Sequence, residues 1–267
     1  MSKKRHGSSK RRVSVSQRAQ LLGLCVLALA TAAVVTVAVA PKNPIPAATS
    51  ASAPEGATAM ASPTAKAPKI SVPANASVLI VGDSYTEGVG ADNKQQGWAH
   101  VAGAALNLSP RIDGVGGTGF AWGGGADNSE GRQYSVRLRA IAAEQTITPD
   151  VLILQGGQND SLLRDDQEVS KAVTSTVDEA RNLWPNLQVL VMGPSAPEPL
   201  ATNLIGTNAA VREGAANAGV PFIDAAGEHW FTAQNSESFH TDGNHVNTAG
   251  HKLIADNFSA HWQELTN

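Results

Sequence analysis

From residue 77 onward the chain alternates two hydrophobic patterns. In the first, apolar residues stand at consecutive positions: 78–81 (VLIV), 151–154 (VLIL) and 189–192 (VLVM). Such runs, many of them β-branched, suit strands covered on both faces, as in a parallel sheet between helical layers. In the second, apolar positions recur every three or four residues, the spacing of a helix with one buried face. It runs through Trp98, Val101, Ala102, Ala105 and Leu106 in 97–108, and through Val136, Leu138, Ile141 and Ala142 in 133–145. It is clearest in 166–184, where Val169, Ala172, Val173, Thr176, Val177, Ala180 and Leu183 share one side, acids occupy the first turn and Pro185 stops the helix. A helix over 203–218 closed by Gly219 follows, and a last one from about Thr248 buries Leu253, Ile254, Phe258, Trp262 and Leu265. Shorter strands are expected at 111–115 and 220–223. Five strands interleaved with helices predict an α/β fold, a three-layer α/β/α sandwich with a five-stranded parallel sheet.

The first 73 residues follow neither pattern. Residues 21–40 are an uncharged apolar stretch long enough, at about 1.5 Å per helical residue, to cross a hydrocarbon core of roughly 30 Å. All seven Lys or Arg of residues 1–20 precede it, with no acid among them. They predict a basic cytoplasmic tail (1–20), a single-pass transmembrane signal-anchor (21–40) and an extracytoplasmic remainder. A cleaved signal peptide, which would leave the protein secreted, is the alternative, since Ala38-Val39-Ala40 resembles a processing site; Pro41 argues against cleavage there. The sole cysteine, Cys25, lies inside the apolar run and reads as membrane packing, and no internal disulfide is possible. Residues 41–73, Ala/Pro/Ser/Thr-rich with seven prolines, read as an extended linker, leaving 74–267 as the folded domain.

Charge narrows the partners. The chain holds 20 Lys or Arg against 23 Asp or Glu. With seven of the bases confined to the tail, the body is acidic, which excludes a nucleic-acid surface. Nothing in the pattern calls for an obligate protein partner.

The chemistry is expected where the strands end, because binding crevices of open α/β sheets lie beyond the carboxyl ends of their strands. Ser84 follows the first strand, Gly116 and Gly117 the second, Asn159 and Asp160 the third, and Asp242 with His245 the fifth. A serine nucleophile needs a base, an orienter for that base and donors for an oxyanion. His245 suits the base, and Asp242, three residues earlier, is placed to accept a hydrogen bond from its Nδ1. Gly117 N–H, the Asn159 side-chain amide and the N–H of Ser84 itself are the candidate oxyanion donors. Asp160 reads as a structural hydrogen-bond partner. Phe120 and Trp122, beside the glycine loop, are candidates for the substrate pocket, with Trp98, Trp230, Phe231 and Phe239 behind them; core packing is the competing role for each.

Four blocks carry a resemblance: Gly82-Asp83-Ser84, the glycine within GVGGTG (114–119), Gly157-Gln158-Asn159-Asp160, and Asp242-Gly243-Asn244-His245. In this order they are similar to the four blocks of the SGNH, or GDSL-type, hydrolases, over about residues 77–265. The resemblance implies a flavodoxin-like sandwich with Ser84 as nucleophile, His245 as base, Asp242 as its orienter, and an oxyanion hole of Ser84 N–H, Gly117 N–H and Asn159 Nδ2. Gly117 is chosen over Gly116 by alignment of a glycine-rich loop. The activity implied is that of an esterase removing a small acyl group, such as acetyl, from a glycan, lipid or other cell-envelope component, with neither cofactor nor metal.

Other readings compete. GVGGTG formally matches a dinucleotide-binding G-x-G-x-x-G, but FAWGGGADN follows it without a helical period. His240, Asp242, His245 and His251 are ligand types suited to zinc, although zinc hydrolysis would leave the Gly117 and Asn159 blocks unexplained; His251 reads instead as packing or capping the last helix. No serine stands in G-x-S-x-G, which excludes the α/β-hydrolase elbow. Acyl transfer to a sugar hydroxyl would use the same residues as hydrolysis, and a non-catalytic glycan-binding module is the alternative outside enzymology.

Overall fold

A computed structural model describes residues 68–267. The strands are β1 (Val78–Gly82), β2 (Arg111–Gly114), β3 (Val151–Gln155), β4 (Gln188–Met192) and β5 (Phe222–Ile223). They form one sheet in the order β2-β1-β3-β4-β5, and every pairing is parallel. The order reverses beside β1, so a crevice opens at the carboxyl end of the strand that leads into Ser84. The helices are α1 (Ser84–Glu87), α2 (Trp98–Ala105), α3 (Tyr134–Glu144), α4 (Asp166–Leu183), α5 (Leu200–Asn203), α6 (Ile205–Asn217), α7 (Ser236–Phe239) and α8 (Thr248–Thr266).

The consecutive apolar runs are explained by two cores, one on each face of the sheet. Side chains alternate along a strand. Val78, Ile80, Ile153, Leu190 and Met192 therefore meet Trp98 of α2 and Ile254, Phe258 and Trp262 of α8. Leu79, Val81, Leu152, Leu154, Val189 and Val191 meet Leu138 and Ile141 of α3, Val169, Val173 and Val177 of α4, and Ala210 and Val211 of α6. Helices α4 and α6 approach closely at Gly214, where a Cβ would come within 2.5 Å of the Ser170 carbonyl oxygen. Asp165 and Asn247 cap α4 and α8, their side chains accepting the N–H groups of Glu168 and Gly250.

Several boundaries differ from expectation. The helix expected over 203–218 is α6, and a separate turn of helix, α5, precedes it, the two meeting at the fully buried Leu204. Only Phe222 and Ile223 of the strand expected at 220–223 join the sheet. The domain also begins before residue 74: Ile70 is buried, its N–H donates to the Leu265 carbonyl, and Val72 packs on the same core. Composition had placed both in the linker because its Pro and Ala content conceals two apolar anchors. Residues 1–67, and with them the expected tail, membrane anchor and most of the linker, lie outside the described residues. Among the described residues no helix is long and apolar enough to cross a membrane.

Candidate active site

Ser84 is the first residue of α1, and Asp83 before it caps that helix by accepting the Tyr85 N–H at 2.9 Å. Gly82 has no room for a side chain, since a Cβ would lie 2.1 Å from the Thr86 hydroxyl. The buried β1 and the tight turn at its end fix where the hydroxyl stands.

The candidate base, His245, arrives from 161 residues away. Ser84 Oγ and His245 Nε2 are 3.0 Å apart, and His245 Nδ1 and Asp242 Oδ2 2.8 Å. Asp242 Oδ1 also accepts the N–H groups of Asn244 and His245 at 2.9 and 2.8 Å, a local turn that sets the carboxylate beside the imidazole. The His245 hydrogen bond, with help from the Asn244 amide, holds the Asp242 carboxyl down to a pKa of about 2. A carboxylate that stays ionised selects the Nδ1–H tautomer and leaves Nε2 facing Ser84 as an acceptor.

Two contacts fasten this loop, and a third fastens the helix that follows it. Tyr85, buried next to the serine, donates its hydroxyl to the Asn244 carbonyl at 2.8 Å. Gly90 lies against Val246, so closely that a Cβ would sit 2.2 Å from the Val246 carbonyl oxygen. His251, fully buried, accepts the Trp98 N–H at Nδ1 (3.3 Å) and donates from Nε2 to the Val89 carbonyl (3.0 Å). Burial pushes the His251 pKa down, which keeps the ring neutral for both bonds. These bonds realise the packing role expected of His251. They also oppose the zinc reading, because the ring nitrogens of His245 and His251 are already engaged. Among the described residues no group of three His, Cys, Asp or Glu side chains is arranged to hold a metal ion.

Opposite the serine lies the 114–119 loop. Gly116 N–H donates to Glu87 Oε2 at 3.0 Å, whereas the exposed Gly117 N–H has no protein acceptor among the described residues. Geometry therefore separates the two glycines that the sequence left to alignment. Gly117 has φ +74°, a left-handed conformation that glycine adopts without strain. Asn159 Nδ2 donates to the Thr118 carbonyl at 2.9 Å, which ties the amide to the loop and leaves its second N–H for another acceptor. No helix begins at GVGGTG, so the dinucleotide reading has no support.

Asp160 organises the loop beyond. It accepts the N–H groups of Phe120, Ala121 and Trp122 at 3.1, 2.8 and 2.9 Å, and Gly119 gives the carboxylate its space. Burial pushes its pKa up, against the pull of the three amides. This arrangement corrects the expectation for Phe120 and Trp122. Phe120, 2% exposed, packs on the Tyr134 ring with centroids 4.8 Å apart. Neither residue lines the cavity at Ser84. Sequence proximity to the glycine loop misled, because Phe120 packs into the core and Trp122, half-buried, lies away from that cavity.

That cavity, about 430 Å³, is lined by Gln158, Asn159, Ser161 and Asn244 together with Tyr85, Val89, Leu162 and Leu200. Leu162, 59% exposed, is an apolar side chain at its edge. Sequence reasoning passed over Tyr85, Leu162 and Leu200, none of which stands in a run that marks it. It also passed over Arg137, whose buried guanidinium donates to the Gly82 carbonyl and the Thr118 hydroxyl at 3.0 Å and pairs with Asp113. A signal was available there, since Arg137 falls on the same helical face as Tyr134, Leu138 and Ile141.

A serine, histidine and aspartate at the carboxyl edge of a flavodoxin-ordered sheet define a hydrolase architecture distinct from the α/β-hydrolases. The model of the GDSL-like lipase/acylhydrolase family matches residues 80–253, and the chain belongs to that family of ester-hydrolysing enzymes. A GDSL lipase of Mycobacterium tuberculosis is 28% identical over 192 residues, covering 67% of this chain and 78% of the relative. Solved structures share the fold at lower identity. TesA has 21% identity and a TM-score of 0.54, covering 71% of this chain and 99% of its own. A family two carbohydrate esterase from Clostridium thermocellum, solved in complex with cellohexaose, has 17% identity and a TM-score of 0.53, covering 73% of this chain and 66% of its own. A two-domain esterase active on acetylated mannans has 16% identity and a TM-score of 0.55, covering 72% of this chain and 49% of its own.

Proposed function

We propose that the protein is an extracytoplasmic serine esterase that removes a short acyl group, acetyl in the first instance, from a glycan of the cell envelope or its surroundings. The observation that carries this reading is the continuous relay from Asp242 through His245 to Ser84, with separations of 2.8 and 3.0 Å, facing the open amide of Gly117. Ser84 Oγ attacks the ester carbonyl carbon while its proton passes to His245 Nε2. The resulting imidazolium is held at Nδ1–H by Asp242. The carbonyl oxygen becomes an oxyanion that accepts from the N–H groups of Ser84 and Gly117 and from Asn159 Nδ2. The tetrahedral centre collapses as the bond to the sugar oxygen breaks, and Nε2 returns its proton to that oxygen. Water then attacks the acyl-enzyme and gives a proton to Nε2; Ser84 leaves with that proton and the free acid departs. Every proton and charge in this cycle has a partner among these side chains and amides, so neither metal nor cofactor is needed.

The glycan class is supported by Asn159, Ser161 and Asn244 in the cavity lining, which bring amides and a hydroxyl, and by the relatives named above as carbohydrate esterase and mannan esterase. The outward location is supported by the uncharged run at 21–40 and the seven bases before it. The test is labelling of the full-length protein with a fluorophosphonate, alongside acetate release from O-acetylated glycans. The wild type should label and release acetate, and Ser84→Ala should do neither. Undiminished activity of Ser84→Ala would overturn the assignment of the nucleophile.

A further inference from the structure

Gly117 stands between two residues that charged side chains hold. On one side, the Gly116 N–H donates to Glu87 Oε2 at 3.0 Å. Glu87 is the last residue of α1, which Ser84 begins, so this bond joins the glycine loop to the helix that carries the nucleophile. Lys94 donates to the other carboxylate oxygen at 2.8 Å. That contact draws the Glu87 pKa below the usual carboxylate range, which keeps the side chain ionised and Oε2 an acceptor.

On the other side, the fully buried Thr118 hydroxyl accepts from Arg137 Nη1 at 3.0 Å and donates to the Val115 carbonyl at 2.7 Å, closing the turn around both glycines. The same Nη1 donates to the Gly82 carbonyl at 3.0 Å, which also accepts the Val115 N–H at 3.1 Å. Gly82 ends β1 just before Asp83 and Ser84. Arg137 Nε donates to Asp113 Oδ2 at 3.0 Å, near the end of β2. A planar guanidinium reaches Thr118, Gly82 and Asp113 together, which the single ammonium of a lysine does not.

The open amide between them is held by nothing of its own. Gly117 N–H has no protein acceptor among the described residues, and no atom lies within 4 Å of where a Cβ would stand. Its direction is therefore set by the residues before and after it. An oxyanion donor is effective only where it already points at the charge that develops.

We infer that Glu87 and Arg137 are positioning residues for the reaction at Ser84, which together aim the Gly117 N–H by fixing the residues on either side of it. Neither lines the cavity at Ser84. The inference rests on the serine-esterase reading above and adds two charged side chains outside the relay on which turnover depends.

The experiment compares Glu87→Ala, Glu87→Gln and Arg137→Lys with the wild type, all full-length. It reads kcat and KM for p-nitrophenyl acetate and the Ki of phenylboronic acid, whose boron takes the serine oxygen to form a tetrahedral anion; thermal melts report folding. Glu87→Ala frees the Gly116 amide, so kcat should fall about ten- to hundredfold with KM nearly constant, and the boronate Ki should rise by a similar factor. Glu87→Gln keeps an acceptor for Gly116 and should stay within about threefold of the wild type. Arg137→Lys keeps the charge without the fork and should resemble Glu87→Ala. If Arg137→Lys does not fold, Thr118→Val, which removes the hydroxyl that Arg137 holds, replaces it with the same expectation.

A merely structural role would lower Tm and leave kcat and the boronate Ki of the folded enzyme unchanged. A folded Glu87→Ala with kcat within about threefold of the wild type, or a Glu87→Gln as impaired as Glu87→Ala, would overturn the role of Glu87. An unchanged kcat in the folded Arg137→Lys, or in its replacement, would overturn that of Arg137. Failure of the underlying esterase reading would look different, since the wild type would then hydrolyse no ester and take no fluorophosphonate label.

Discussion

Two aspartates serve the two halves of the site, and their surroundings drive them in opposite directions. Asp83 lies next to Ser84, fully buried, with one oxygen capping α1 and Oδ2 without a partner among the described residues. Burial chiefly, with the nearby charge of Asp160 adding to it, pushes its pKa up to about 7. Asp242 stands in the base loop with its side chain 53% exposed, and hydrogen bonds pull it down to about 2. The same contrast runs through the halves themselves. Ser84 is placed by a central strand between two cores, so its position follows from hydrophobic packing. His245 is placed by a solvent-facing loop held through Tyr85, Gly90 and His251, so its position follows from a few directional contacts. The nucleophile half should respond to mutation through the fold, and the base half through alignment.

The largest effect tests whether both halves belong to one reaction. His245→Ala should lower kcat/KM for p-nitrophenyl acetate by about 10⁴-fold or more, as loss of a triad base does elsewhere, with little change in thermal stability because the loop is outside the core. A loss below tenfold would separate His245 from Ser84.

Next in size is Asp242→Asn. The asparagine keeps the turn but cannot hold a negative charge at Nδ1. Exposure screens the carboxylate, so the loss should be smaller than for the base, on the order of 10²-fold to 10³-fold in kcat. Because Asp242 remains ionised down to about pH 2, any acid limb of activity between pH 4 and 7 belongs to another group. An Asp242 carboxyl pKa of 4 or above, read by NMR titration, would contradict this.

Tyr85→Phe removes one hydroxyl from the contact between the halves. Without the bond to the Asn244 carbonyl, kcat should fall by roughly tenfold with KM nearly constant, since misalignment weakens the transition state more than binding. A change confined to KM would mean that Tyr85 acts only as cavity wall.

The smallest effect on turnover, and the sharpest on the comparison, is Asp83→Asn. A carboxyl whose folded pKa of about 7 exceeds its unfolded value of 3.8 favours folding when protonated. Its contribution is therefore fully present below about pH 4 and is lost as pH rises toward 7. Relative to Asp83→Asn, the wild type should lose stability across that window, on the order of a few kcal/mol. Thermal melts of both proteins from pH 4 to 7 check it, and parallel melting curves would refute the buried-acid account.

Much of the nucleophile half was legible in the chain. Apolar runs at 78–81, 151–154 and 189–192 announce strands covered on both faces, and the polar residues after them announce the crevice. The base half was legible only as residue types. Asp242 and His245 stand three apart, a spacing common in ordinary turns, and nothing local tells that they meet Ser84. The pocket was misread at Phe120, which packs in the core on Tyr134, and at Trp122, which is half-buried but does not line the cavity.

Sequence alone thus determined the layers and the parallel sheet and singled out the candidate side chains at its edge, because periodicity and strand-end placement are local properties that burial enforces on every residue of a run. Tertiary structure decided which glycine amide is open and which side chains line the cavity at Ser84. Those features depend on contacts between residues far apart in the chain, such as Gly116 with Glu87, Tyr85 with Asn244, and Gln158 with Ser195. No periodicity encodes such pairs, since each is fixed only when the packed elements bring its partners within hydrogen-bonding distance.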